Sequence, residues 1–151
     1  MANWSEVEHA APELAARVAA LLARGKHKTM ATVRRDGSPR LSGIETEFEG
    51  GELRLGMMPG SRKLADVQRD PRIALHSPSV DPPEGDPAGW PGEARVSGRV
   101  REVPFPGEGP EGSYFAVDVT ELVLTEIAPS NDRLLITSWR PEEQVRRVER
   151  T

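Results

Sequence analysis

The sequence predicts a mainly β, α+β domain: a small antiparallel barrel of six to seven strands with flanking helices. Three observations carry that expectation. Apolar and polar residues alternate in short runs from Lys28 onward, Asp36-Gly37 and Gly50-Gly51 join successive runs as tight turns, and the strand–helix alternation of a parallel sheet is missing. With 151 residues and no internal repeat, the chain reads as a single domain spanning 1–151.

The elements follow in order. Pro12 to Arg24 carries Leu14, Val18, Leu21 and Leu22 on one helical face, with Pro12 in the first turn and Gly25 past the end. Lys28–Arg34 reads as a strand, and the Asp36-Gly37 turn leads to a second strand from Pro39 to about Glu49. Gly50-Gly51 then returns the chain through Glu52–Met57, completing a three-strand meander. Ser61–Gln68 is helical and ends before Pro71, which restricts the residue preceding it. Strands follow at Arg72–His76 and Glu93–Val103, separated by a Pro-, Gly- and acid-rich loop from Ser77 to Gly92. Pro104–Gly112 is a stiff linker. Tyr114–Val119 and Leu122–Ile127 are either one strand broken near Thr120 or two, and Leu134–Trp139 is the last. The charged tail reads as helical through Glu142–Arg150, with Val145 and Val148 on one side.

Composition excludes several classes of function. Net charge is −4 with both signs interspersed, which argues against a nucleic-acid surface held by phosphate contacts. No apolar run approaches the roughly 18 residues of a membrane span, and Met1–Glu6 lacks the order of a signal peptide, so a cytoplasmic protein is expected. The absence of cysteine removes disulfides, thiolate metal sites and cysteine nucleophiles. His9, His27 and His76 have no ligand spacing, so no metal site is expected.

The sharpest chemical signal is Gly60-Ser61-Arg62-Lys63, at the end of a strand and the start of a helix. Ser61 can cap the helix, Arg62 can make a forked pair with a phosphate, and Lys63 adds a point charge beside unpaired N–H groups. The other reading is a solvated helix start whose cations pair with Asp66 or Asp70. On the second strand Leu41, Gly43, Glu45 and Glu47 share one face, where Gly43 would let a flat ligand approach or where the face is simply solvated. Trp139-Arg140-Pro141 suits a ligand or dimer contact, or Trp139 belongs to the core.

Met30-Ala31-Thr32-Val33, Asp36-Gly37-Ser38-Pro39, Gly60–Lys63, Asp70-Pro71-Arg72-Ile73-Ala74-Leu75 and Trp139-Arg140-Pro141 together resemble the pyridoxamine 5′-phosphate oxidase-like, flavin-binding split-barrel superfamily. The resemblance implies a homodimer of split β-barrels with two cofactor sites at the subunit interface. It implies that Ser61, Arg62 and Lys63 hold the phosphate of flavin mononucleotide (FMN), that Ser42, Gly43, Ile44 and Glu45 line the ring, that Met57 lies beside it, and that Trp139 reaches in from the partner. Hydride transfer to or from a small molecule would then occur at flavin N5, with no catalytic side chain. Ser42 and Glu47 stand where true pyridoxamine phosphate oxidases carry Arg and Lys, which argues against a phosphorylated pyridoxamine as substrate. The superfamily also holds enzymes that use the deazaflavin coenzyme F-420 and non-catalytic flavin- or haem-binding dimers, so these alternatives stay open.

Overall fold

A computed structural model describes residues 1–107 and 112–151, so the middle of the expected Pro104–Gly112 linker lies outside the described residues. Two helices open the chain, α1 (Trp4–Ala10) and α2 (Pro12–Leu22). Four strands follow, β1 (Lys28–Val33), β2 (Pro39–Ile44), β3 (Thr46–Glu49) and β4 (Glu52–Met57), and then α3 (Arg62–Arg69). The remainder is β5 (Arg72–His76), a 3-10 turn at Pro87–Gly89, β6 (Glu93–Val103), β7 (Ser113–Ile127), β8 (Leu134–Trp139) and β9 (Arg146–Arg150).

All pairings are antiparallel and run β2-β1-β5-β6-β7-β4-β3, with β8 added to β7 and β9 to β8. The two ends of this path, β2 and β3, are consecutive in the chain and joined by Glu45 alone. The barrel is therefore closed by covalent chain at Glu45 and left open in its hydrogen bonding, which is a split barrel. The inner face carries Met30, Leu53, Leu55, Leu75, Val96, Val117 and Leu122, all buried, and α1 and α2 pack against β4, β6 and β7. No helix among the described residues is long and apolar enough to cross a membrane.

The described residues form nine strands where six or seven were expected, for two reasons. The run from Pro39 to Glu49 is not one strand of a flat meander: Pro39–Ile44 pairs with β1 while Thr46–Glu49 pairs with β4. One strand cannot follow both neighbours once the sheet curls, so the chain bends at Glu45. The tail is also a strand rather than a helix. A nine-residue helix is marginal on its own, whereas the free edge of β8 offers backbone partners from Leu134↔Arg150 to Ser138↔Arg146. Helix α1 was not expected, although Asn3 and Glu6 form a capping box around it, and its Trp4 and Val7 are buried.

Tyr114–Ile127 is one strand, with the anticipated break present as a bulge. Ser97 pairs with Glu121 and Gly98 with Val119, so Thr120 has no partner on β6. Close approach of the strands there requires glycine, because a Cβ on Gly98 would lie 2.4 Å from the Asp118 carbonyl oxygen. Gly98→Ala should therefore destabilise the domain by about 3 kcal/mol through overpacking against backbone that cannot move aside, measured as a lower urea midpoint with unchanged slope.

Candidate functional site

The site starts with a turn that ends β4. Ser61 N–H donates to the Met58 carbonyl at 3.2 Å, and Gly60 sits at φ +72°, the left-handed region that glycine occupies without steric cost. Ser61 then caps α3, its hydroxyl accepting from Leu64 N–H at 3.4 Å. The first turn of α3 contains Arg62 and Lys63 and no acidic residue. Two cations at the positive end of a helix oppose its dipole, so this terminus is unfavourable until an anion arrives.

The carboxylates that could neutralise these cations are engaged elsewhere. Asp66, only 3% exposed, accepts from Arg40 Nε at 2.7 Å, from the Thr32 hydroxyl at 2.7 Å and from Arg69 at 3.3 Å. Asp70 is bound by Arg72 at 2.7 Å. Arg62 has no carboxylate within 4.0 Å among the described residues, and Lys63 donates instead to the Gly43 carbonyl at 2.8 Å. Pairing of Arg62 or Lys63 with Asp66 or Asp70, one of the two readings of this segment, does not form. Lys63 connects α3 to β2 and brings the cationic turn beside Gly43.

A family model described as pyridoxamine 5′-phosphate oxidase matches residues 14–143. The chain belongs to this family. No curated protein sequence matches it. Among solved structures, it is similar to an F420 reductase at 22% identity and TM-score 0.52, over 68% of this chain and 93% of that one. It is similar over its whole length, and 98% of the other chain, to an FMN-binding, pyridoxamine 5′-phosphate oxidase-related protein from Nostoc punctiforme, at 12% identity and TM-score 0.62. A haem storage protein, HutZ from Vibrio cholerae, matches over 76% of this chain and 94% of its own at 11% identity and TM-score 0.57. At such identities these neighbours establish the shared fold.

In this member of the pyridoxamine 5′-phosphate oxidase family, the residues singled out from sequence fall into two groups. Ser42, Gly43 and Ile44 lie on β2 beside Lys63, Ser42 half-buried and Ile44 buried, and no atom lies within 4 Å of where a Gly43 Cβ would stand. Glu45 is exposed at the barrel seam, 3.7 Å from Lys26 and 4.0 Å from His27. Met57 ends β4 with its side chain in the core. Trp139 is 4% exposed and lines a cleft with Met1, His9 and Pro141 rather than one with the cations of α3.

Two features escaped the sequence reading. Arg34, Arg35, Arg40, Arg62 and Arg69 line a groove of about 480 Å³. The Arg34-Arg35 pair in the hairpin turn was its only local signal. A second cleft, about 270 Å³, is lined by Glu45, Thr46, Glu47, Arg54, Gly56 and Tyr114. There the Tyr114 ring lies across Gly56 and its hydroxyl donates to Glu47. Burial first, and then the Glu47 carboxylate, push the Tyr114 phenol well above its ordinary range, so it stays a donor. No group of three or more His, Asp or Glu suited to a metal ion occurs among the described residues.

The donor set at α3 fits a phosphate group: a serine hydroxyl, a guanidinium and an ammonium without carboxylate partners, and the unpaired N–H groups of a helix start. Asp66 holds that set in place. Its carboxyl is pulled down to about 2, chiefly by the Arg40 hydrogen bond and then by Thr32 and Arg69, against the opposing effect of burial. A depressed native pKa contributes stability that is fully present above the unfolded value near 3.8 and is lost as pH falls toward 2. That contribution is about 2 kcal/mol. Asp66→Asn should lower stability at pH 7 by about 3 kcal/mol and flatten the loss between pH 4 and 2, as read from urea midpoints across that range.

Proposed function

We propose that this chain is an FMN-dependent oxidoreductase that exchanges a hydride with a small molecule, anchoring the cofactor by its phosphate at Ser61, Arg62 and Lys63. The observation that supports this most is the first turn of α3, where two cations without carboxylate partners among the described residues sit beside Gly43. When bound, the flavin supplies hydride exchange at N5. The chain's own residues bind and orient. Ser61 and Arg62 hold the phosphate oxygens, Lys63 adds charge while spanning to β2, and Gly43 leaves room for a flat ring to approach the strand from Ser42 to Glu45. Glu45 and Glu47 put negative charge beside the second cleft, which disfavours a phosphorylated substrate such as pyridoxamine phosphate.

The deazaflavin coenzyme F-420 is the second cofactor reading, favoured by the 22% identity to the F420 reductase. It is anchored by the same residues, because a phosphate site does not distinguish the two rings. We further propose a cytoplasmic homodimer. Leu41 and Met58 are 73% and 77% exposed and flank Gly43 and Lys63 in the sequence, apolar surface that a second copy would cover. In that dimer the partner subunit's Trp139, which lines a cleft with Met1, His9 and Pro141, would complete the site.

The purified protein should show a flavin or deazaflavin spectrum, or bind one of the two on titration. Binding of neither would overturn the proposal, and binding without any redox exchange would favour a non-catalytic flavin- or haem-type module. Lys63→Ala should weaken the cofactor about 10- to 100-fold, the equivalent of one charge-assisted hydrogen bond, while the free protein still folds, with a midpoint lowered only by the lost Gly43 contact. Unchanged affinity would count against the phosphate assignment.

A further inference from the structure

The arginine groove beside α3 is used by the proposed anchoring at one residue only, Arg62. Helix α3 lies along the β1–β2 hairpin in a fixed order: Lys63 meets the Gly43 carbonyl, Asp66 meets Arg40, and Arg69 donates to the Val33 carbonyl at 2.6 Å. The helix therefore starts at the Gly43 end of β2 and finishes near the hairpin turn. Arg62, Ala65, Asp66 and Arg69 share one helical face and line the groove of about 480 Å³ with Arg34, Arg35, Asp36 and Arg40. The seven-residue rise from Arg62 to Arg69 is roughly 10 Å. The groove thus begins at the proposed phosphate site and leads away from Gly43.

Its charge is unbalanced. Asp66 is occupied by Arg40, Arg69 and Thr32, and Asp36 by the N–H and hydroxyl of Ser38. Arg34, Arg35 and Arg62 have no carboxylate within 4.0 Å among the described residues. Three such guanidinium groups line one groove in a chain of net charge −4, and their mutual repulsion is relieved only by an anion. The walls are set beforehand. Asp66 fixes Arg40 and Arg69, and a closed turn carries Arg34 and Arg35, with Gly37 N–H donating to the Arg34 carbonyl at 2.8 Å. A guanidinium pairs with a phosphate through parallel N–H donors and stacks on an aromatic face. Because the groove starts at Arg62, an anion joined to the first phosphate reaches it directly. We propose that the groove takes the second phosphate and the base of a dinucleotide flavin. The cofactor is then flavin adenine dinucleotide (FAD), with its FMN half at Ser61–Lys63 and Gly43 and its adenylate between α3 and the hairpin turn. This inference rests on the cofactor reading of the preceding subsection and lengthens that cofactor, adding no step to the hydride exchange.

The test is equilibrium titration of the full chain with FMN and with FAD, in wild type and in an Arg34→Gln, Arg35→Gln double variant. The wild type should bind FAD about tenfold or more tightly than FMN, as one further charge-assisted hydrogen bond gives. Added salt should shrink that preference. The double variant should lose it and keep the wild-type affinity for FMN, with an unchanged thermal midpoint, because both arginines are exposed. The wild-type comparison needs no variant: equal affinities, or tighter binding of FMN, overturn this inference and leave the cofactor reading standing. A preference for FAD that survives in the double variant also overturns it, since the adenylate would then lie elsewhere. Binding of the deazaflavin and of neither flavin overturns it as well, whereas failure of all three to bind overturns both readings.

Discussion

The buried Asp66 carboxylate is the interaction on which the candidate site depends. It gathers Thr32 from β1, Arg40 from β2 and Arg69 from its own helix, and so fixes α3 against the sheet through charge-assisted hydrogen bonds. The packing under that helix is slight: Leu64 and Val67 are its only buried apolar side chains. Beside Asp66, only two side chains tie the helix to the sheet among the described residues, Lys63 at the Gly43 carbonyl and Arg69 at the Val33 carbonyl. Asp66, so engaged, is also unavailable to Arg62 and Lys63. One residue thereby helps to position the cations and leaves them without a carboxylate partner among the described residues.

The split in the barrel gives that arrangement its setting. Glu45 carries the chain from one end of the strand order to the other, so β2 is hydrogen-bonded along one edge only. An edge strand with a glycine and an exposed leucine would invite aggregation in an ordinary sheet. Here α3 approaches the same strand, with Lys63 taking the Gly43 carbonyl, and the remaining uncovered surface at Leu41 and Met58 lies around the site. The opening that interrupts the ladder and the surface proposed for cofactor and second subunit are thus one feature.

Much of this was legible in the sequence, and the exceptions share a cause. β1, β4, β5, β6 and β8 stand where alternation and turn residues placed them, because each signal is local. The cap at Ser61 and the Pro59-Gly60 turn were legible for the same reason. What could not be read depends on partners far along the chain. Thr32 and Arg40 are 34 and 26 residues from Asp66, and no spacing rule links them. The bend at Glu45 follows from pairing with two different strands, and an unbroken alternation conceals it. Val145 and Val148 have helical spacing but end up beside and within a strand, because the edge of β8 offers what an isolated helix lacks. Helix α1 differs, since its capping box was in plain view.

If the first turn of α3 is a phosphate site for a ring cofactor, each cofactor should bind differently from its phosphate-free form. Equilibrium affinities would be measured for FMN against riboflavin, and for the deazaflavin against its phosphate-free core. At least one phosphorylated form should bind about 100-fold or more tightly than its counterpart, as two charge-assisted contacts would give, and the difference should disappear when Arg62 and Lys63 are both changed to alanine. Equal affinities within both pairs would contradict it.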